Sequence, residues 1–226
     1  MYANREMRFY ACVGFNGCYW PASSTTDGSY RLQTVKYCMD GNAGKYAGTV
    51  GSDNYTPTGY VIKKYISSYD AWRGNSSERY EKGFPIIRYA EILLSYAEAL
   101  NQLTTTHAIT LPTGESYSLS RDMNEIAKAF NQVRYRAGLP GLTQAQLESP
   151  TEMFEQIKRE RMVEFLGEGR RFYDVRRWGI YEDVDSEPIM GLNIAANEFG
   201  GFYQRTVVDE KNHRDRVVHR KLLFLP

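Results

Sequence analysis

The sequence predicts a mainly α-helical chain joined to a loop-rich region with short β-strands, and three observations carry that reading. From Phe84 onward apolar residues recur with a period near 3.6, the spacing of one helix face. Residues 1–82 show no such period and hold 11 of the 18 tyrosines, two of the three tryptophans and 9 of the 19 glycines, among clusters of Ser, Thr and Asn. Finally, 226 residues with 42% hydrophobic and 24% charged content can bury a core without disulfide or metal staples.

Taken in order, Met7–Phe15 is rich in aromatic and β-branched residues and reads as a strand closed by Asn16-Gly17. Gly59–Ile66 reads as another. Between them lie roughly forty loop residues, and long loops in compact domains are usually functional. Pro85 then starts a helix whose inward face is Tyr89, Ile92, Leu93, Tyr96, Ala97, Leu100 and Leu103. Asp122 can cap a second helix that carries Ile126, Phe130, Val133 and Ala137 inward and stops at Gly138, with Pro140 beyond. A third begins near Pro150-Thr151, with Met153, Phe154, Ile157 and the Phe165-Leu166 pair apolar, and runs toward Gly167 or Gly169. The tail after Trp178 reads as irregular, with Arg216–Phe224 one more strand or extended arm. Helical hairpins of this kind occur in repeat arrays, but no 34-residue self-similarity lies within the chain, so any array is incomplete.

Several function classes fall away on composition. A net charge of +1 gives no general attraction to nucleic acid or anionic membranes. No apolar run reaches the roughly 18 residues of a membrane span, and MYANREMRFY lacks a signal-peptide core. The chain is therefore either cytosolic or a piece of a longer exported protein. Cys12, Cys18 and Cys38 leave one thiol over in any pairing; three reduced thiols are favoured over a Cys12–Cys18 bridge.

The densest charge cluster, Lys158–Arg177, mixes seven basic with four acidic residues, unlike a basic nucleic-acid face. Glu160, Glu164 and Glu168 recur at i, i+4 and share one helix face, so cations must intervene. Arg161 and Arg171 lie three residues from Glu164 and Glu168, and Arg134 or Arg136 can reach across from the preceding helix. A paired, partly buried ion network is the expectation, with Glu164 and Arg161 mostly buried. Carboxylates on successive turns of one helix point the same way, whereas glycoside hydrolysis needs them on opposite sides of the bond.

Other catalytic and metal signatures fail. Gly41-Asn-Ala-Gly-Lys45 lacks the first glycine of a phosphate loop, where Met39 stands, and its Ser/Thr, where Tyr46 stands; it reads as a polar loop. His107, His213 and His219 have no partner spacing for a metal. Asp40-Gly-Asn42 lacks the other acids of a calcium loop, with Gly51 at the expected glutamate. No catalytic residue, metal or cofactor is expected. What remains is the set of aromatics on or near loops: Tyr19, Trp20, Tyr30, Tyr37, Tyr46, Tyr55, Tyr69 and Trp72. Rings beside Asn, Asp, Gln and Ser suit ligands with one apolar face and a polar edge, as sugars have, although most such rings simply pack loops onto the body. Trp20, following a strand and a tight turn and flanked by Tyr19 and Pro21, is the leading candidate, with Tyr19, Tyr30 and Trp72 beside it.

Phe84–Glu98 (FPIIRYAEILLSYAE), Glu160–Trp178 (ERMVEFLGEGRRFYDVRRW) and Thr58–Lys64 (TGYVIKK) resemble the C-terminal half of SusD/RagB-like proteins, as do Arg8–Ala11 and Phe130–Leu139, all in the family's order. The resemblance implies a mainly α fold with tetratricopeptide-type hairpins and a loop-rich ligand face, so that residues 1–82 would form that face and 83–226 the helical body. It also implies a non-enzymatic lipoprotein on the extracellular face of the Gram-negative outer membrane. Such proteins capture glycans, oligosaccharides or other oligomeric nutrients and form a lid over a SusC-like TonB-dependent transporter. In relatives, glycan contacts often come from loop aromatics just after the strand resembling Arg8–Val13, the position of Trp20 here. The family's export signal, lipidated cysteine and most N-terminal repeats are missing and Leu222–Pro226 stops early, so the chain reads as a fragment whose membrane attachment would come only through an anchor outside it. Two competing functions are a helical scaffold for contact with the transporter and a glycoside-processing enzyme; the aromatic loops disfavour the first, and the absent catalytic spacing the second.

Overall fold

The computed structural model describes residues 1–22, 31–47, 55–67, 70–73, 76–78 and 81–208, with backbone alone at 21–22, 31–33, 71–73, 76–78 and 185. The elements run α1 (Met7–Cys12), β1 (Val13–Phe15), β2 (Cys18–Ala22), β3 (Arg31–Val35), β4 (Tyr60–Ile62), β5 (Ala71–Arg73) and β6 (Ser76–Glu78). There follow α2 (Tyr89–Asn101), β7 (His107–Thr110), β8 (Ser116–Leu119), α3 (Met123–Arg136), α4 (Gln144–Glu148), α5 (Pro150–Glu164), α6 (Arg170–Arg177) and α7 (Tyr181–Asp185). Strand β9 (Met190–Leu192), a kinked turn (Glu198–Phe202) with Gly201 at φ +117°, and β10 (Arg205–Val207) follow. Among the described residues every strand pairing is a two-stranded antiparallel ladder: β1 with β4, β2 with β3, β5 with β6, β7 with β8 and β9 with β10. Two compact units result, one of Met1–Arg5, Phe9–Gly83 and Phe172 onward, the other of Glu6–Arg8 and Phe84–Arg171.

The second unit is helical apart from the β7–β8 hairpin. Helix α3 follows its sequence signals closely. The Asp122 carboxylate accepts from the Asn124 and Glu125 N–H groups at 2.8 and 3.1 Å, and Ile126, Phe130, Val133 and Ala137 are buried. Gly138 closes the helix at φ +72°, a left-handed conformation that a side chain would strain. Helix α5 starts at Pro150 behind the Ser149 cap, and α4 behind a Thr143/Gln146 capping box. Leu94, Ile126, Phe130, Met153 and Ile157 form the core, each with no exposed surface.

Helix α2 departs from its pattern. It begins at Tyr89 rather than Pro85, because the Ile86 carbonyl accepts from the Arg170 guanidinium and Arg88, the N-cap, turns its own guanidinium to Glu164 and Glu168. Its buried face is Ala90, Leu94, Ala97 and Leu100, while Tyr89, Ile92 and Tyr96 stand 68%, 54% and 45% exposed. Two apolar stripes run along this helix, and the one bearing small alanines meets the core it shares with α3 and α5. Buried Asn101 donates to the Pro150 carbonyl at 2.8 Å and accepts from Arg121 at 3.0 Å.

The first unit is built of short ladders around aromatic rings. Of the strand expected at Met7–Phe15 only Val13–Phe15 is extended. Residues Met7–Cys12 are helical, and the open carbonyls at the end of this turn are taken by Lys63, its N–H to Cys12 at 2.7 Å and its Nζ to Tyr10 at 3.3 Å. Strand β4 likewise ends at Ile62, since β1 offers it three partners, Val13 to Ile62 through Phe15 to Tyr60. Part of the expected long loop is the β2–β3 hairpin, registered Cys18 to Val35. The segment after Trp178, expected to be irregular, holds α7, β9 and β10, elements too short to leave a period. Arg216–Phe224, His213 and His219 lie outside the described residues. Tyr2 packs on Phe15 with ring centroids 4.4 Å apart, Phe9 on Phe15 at 5.1 Å, and Tyr60 and Tyr203 meet Tyr2 edge-on. Some of the tyrosines therefore serve packing: Tyr37 is buried, and Tyr2, Tyr60 and Tyr203 are half-buried. No helix among the described residues is long and apolar enough to cross a membrane.

Candidate functional site

Trp20 lies on β2 opposite Gln33, not in a loop after the strand. Successive side chains on a strand face opposite ways. Cys18 is buried at 5% exposure, Tyr19 stands at 65%, and Trp20 turns back to the Cys18 side. There the indole packs over Gly14: a Cβ at that glycine would fall 2.7 Å from the ring and 2.6 Å from the Val61 side chain. Lys63 Nζ covers the ring at 5.8 Å. The adjacent candidates thus occupy opposite faces of one hairpin, Trp20 half-buried as a strut and Tyr19 outward. Trp72 pairs with Ser77 in the β5–β6 ladder, only its backbone being described, and Tyr30 and Tyr69 lie outside the described residues. Tyr37 is core.

The end of the hairpin is fixed by Asn16, 2% exposed. Its carbonyl oxygen accepts from the Tyr37 N–H at 2.7 Å, and its amide donates to Glu198 at 3.0 Å and Tyr203 at 3.1 Å. Lys36 bridges the second Glu198 oxygen at 2.5 Å. That ion pair is the main reason the Glu198 carboxyl is held below the usual range. The same clamp anchors the Glu198–Phe202 turn, on which Phe199 stands 98% exposed. Sequence reasoning passed over Phe199, since a single ring in a Gly-rich stretch carries no periodic signal.

Beside this framework opens a cavity of about 280 Å³, lined by Lys45, Tyr55, Pro57, Leu192–Ala195 and Thr206–Val208. Lys45 Nζ lies 5.3 Å from the Tyr55 ring centre and 5.8 Å from that of Tyr46, itself 63% exposed.

The carboxylates at Glu160, Glu164 and Glu168 form the expected buried network, and two cations the sequence did not single out join it. Arg134 reaches Glu160 at 3.4 Å and Arg136 reaches Glu164 at 2.5 Å, both from α3. The remaining cations come from far along the chain: Arg8 binds Glu160 at 2.6 Å and Glu164 at 3.0 Å, and Arg88 binds Glu164 at 2.9 Å and Glu168 at 2.8 Å. Arg161 is buried as expected and donates to Ser95 at 3.2 Å, and Arg88 donates to Glu168 at 2.8 Å. Burial pushes the Glu164 carboxyl up, yet hydrogen bonds from Arg88 and Arg8 and the charge of Arg136 outweigh it, leaving the group below the ordinary carboxylate range. Among the described residues no His, Cys, Asp and Glu cluster could hold a metal ion. The three cysteines are thiols, Cys18 and Cys38 buried.

No curated protein matches the sequence. A SusD-like protein from Bacteroides fragilis NCTC 9343 is 30% identical with a TM-score of 0.64, over 92% of this chain and 34% of its own. A solved protein designated BT4246 is 26% identical with a TM-score of 0.67, over 91% of this chain and 31% of its own. A SusD-like carbohydrate-binding protein, also from B. fragilis NCTC 9343, shares the fold at 24% identity and a TM-score of 0.58, over 91% of this chain and 37% of its own. The chain thus spans about a third of the length of the solved proteins it matches. The family model for the SusD family matches residues 1–226, and with a mainly helical body, a loop-rich region of short strands and these neighbours, the chain belongs to the SusD family.

Proposed function

We propose that the chain is part of a non-catalytic cell-surface lipoprotein that binds glycans and hands them to a SusC-like TonB-dependent transporter of the outer membrane. The observation that carries the binding reading is the Tyr19 ring, outward on a hairpin that Asn16 and the Trp20–Gly14 contact hold in place. A ring presented by a fixed backbone loses little entropy when a sugar face stacks on it. Trp20 supports that platform from behind, and Tyr30 and Trp72 are further candidates for ligand contact. The family relation and the carbohydrate-binding B. fragilis neighbour point the same way.

Hydrolysis is disfavoured by charge as well as direction. A glycosidase acid must hold a proton near neutral pH, whereas the cations around Glu164 keep it ionised. A glycan array followed by calorimetry tests the reading: binding without release of shorter sugars is expected. Release that disappears in Glu164→Gln would refute the non-catalytic assignment, and no binding to any glycan would refute the binding one. The scaffold alternative draws on one feature, the exposed apolar stripe of Tyr89, Ile92 and Tyr96 on α2. A transporter complex that survives Tyr89→Ser with Ile92→Ser would remove its support.

A further inference from the structure

Lys45 belongs to the stretch that resembles a phosphate loop only faintly, yet its surroundings suit an anion. Among the described residues its ammonium makes no ion pair or hydrogen bond; its contacts are the faces of Tyr55 and Tyr46. By contrast Lys36, Lys82, Lys128 and Lys158 are each paired with a carboxylate. Lys45 also lines the cavity, whose walls are largely apolar, with Pro57, Leu192, Ile194 and Val207 beside the Tyr55 ring. Ring faces hold an ammonium in place without neutralising it. An apolar wall lowers the local dielectric, so an entering anion gains more from that charge there than on an open surface.

We propose that this cavity takes one sugar unit bearing an anionic substituent, a carboxylate or a sulfate, with the anion on Lys45 Nζ and the apolar face of the ring against Tyr55. The proposal rests on the glycan-binding reading above and adds the charge class of the ligand. A volume of about 280 Å³ lies just below the usual range of ligand cavities, roughly 300 to 1,000 Å³, so it suits a single residue of a chain rather than a longer segment. Tyr55 supplies the stacking surface, and Lys45 the discrimination between charged and neutral sugars.

Calorimetry on the whole chain tests this with three probes of equal length: an oligogalacturonide, which carries carboxylates only, a κ-carrageenan oligomer, which carries sulfates only, and a neutral malto-oligomer. An anionic probe should bind more tightly than the neutral one at low salt and lose that advantage as salt rises. Lys45→Met keeps the stem against the rings and removes the charge; it should weaken the anionic probe roughly ten- to thirtyfold, with Lys45→Arg restoring most of it and the neutral probe unaffected. Which of the two anionic probes responds decides between carboxylate and sulfate. Anionic affinity unchanged in Lys45→Met, with an unchanged melting temperature, overturns the proposal, as does the absence of any preference for charged probes. If the malto-oligomer or another neutral glycan binds in that case, glycan binding itself stands, so the two failures are distinguishable.

Discussion

Removing the Glu164 carboxylate should be among the most damaging single changes in the helical unit. The side chain is 2% exposed and answers three guanidinium groups, from Arg8, Arg88 and Arg136. Truncating one partner of a buried ion network costs about 3 to 5 kcal/mol, because the charges left behind stay desolvated. The structure places this case at the lower end. Arg136 is 57% exposed and relaxes into water, while Arg8 keeps Glu160 and Glu6, and Arg88 keeps Glu168. Glu164→Ala should therefore lose about 3 kcal/mol. For a chain of this size that lowers the melting temperature by roughly 6 to 12 °C. Thermal and urea unfolding of both proteins measure it, and pH supplies a second readout. The folded carboxyl titrates below its ordinary value of 4.5. The unfolded chain therefore binds the proton first, and the stabilisation is complete above about pH 4.5 and lost as pH falls through the lower folded value. The wild type should lose this share on acidification and Glu164→Ala should not. A midpoint moved by less than about 0.5 kcal/mol, with an unchanged acid profile, would refute the buried-network account.

Three further outcomes follow from the first unit. Tyr19→Ala should weaken binding of a cognate glycan by roughly 1 to 2 kcal/mol and leave the melting temperature in place, whereas Trp20→Ala should lower the melting temperature as well; calorimetry beside thermal unfolding separates the two, and equal behaviour would contradict their opposite facing. Gly14→Ala puts a Cβ 2.6 Å from Val61 and 2.7 Å from Trp20, so it should destabilise by about 1 to 3 kcal/mol and change Trp20 fluorescence; an unshifted spectrum and melting curve would show that the strut yields freely. Lys45→Met should spare stability and neutral-sugar binding while lowering affinity for anionic sugars, as calorimetry reads directly.

The order of elements in the helical unit was legible because helix signals are local. Asp122, Gly138 and Pro150 mark ends through bonds within a few residues, and Ile126, Phe130 and Val133 repeat along one face. The ion network was legible in half: the i, i+4 glutamates demand cations, and Arg134 and Arg136 lie one helix away. Arg8 and Arg88 could not be chosen from sequence, since they are 156 and 76 residues from Glu164 and only folding brings them near.

Where a segment carries two compatible patterns, tertiary contact decided. Helix α2 has two apolar stripes, and periodicity does not rank them; the core it shares with α3 and α5 takes the alanine-bearing one. Met7–Cys12 has the composition of a strand, yet without a partner strand a β-prone segment has no ladder to join, and Lys63 satisfies a helical turn instead. The candidate site divides the same way. The sequence by itself determined that aromatic rings, not catalytic carboxylates or metal ligands, dominate the loop-rich half, because residue types set which chemistry is available. Only the tertiary structure decided that Tyr19 faces out while Trp20 braces the hairpin, and that Lys45 meets Tyr55 at a cavity. Strand alternation turns neighbouring residues to opposite sides, and long-range packing chooses which side is solvent.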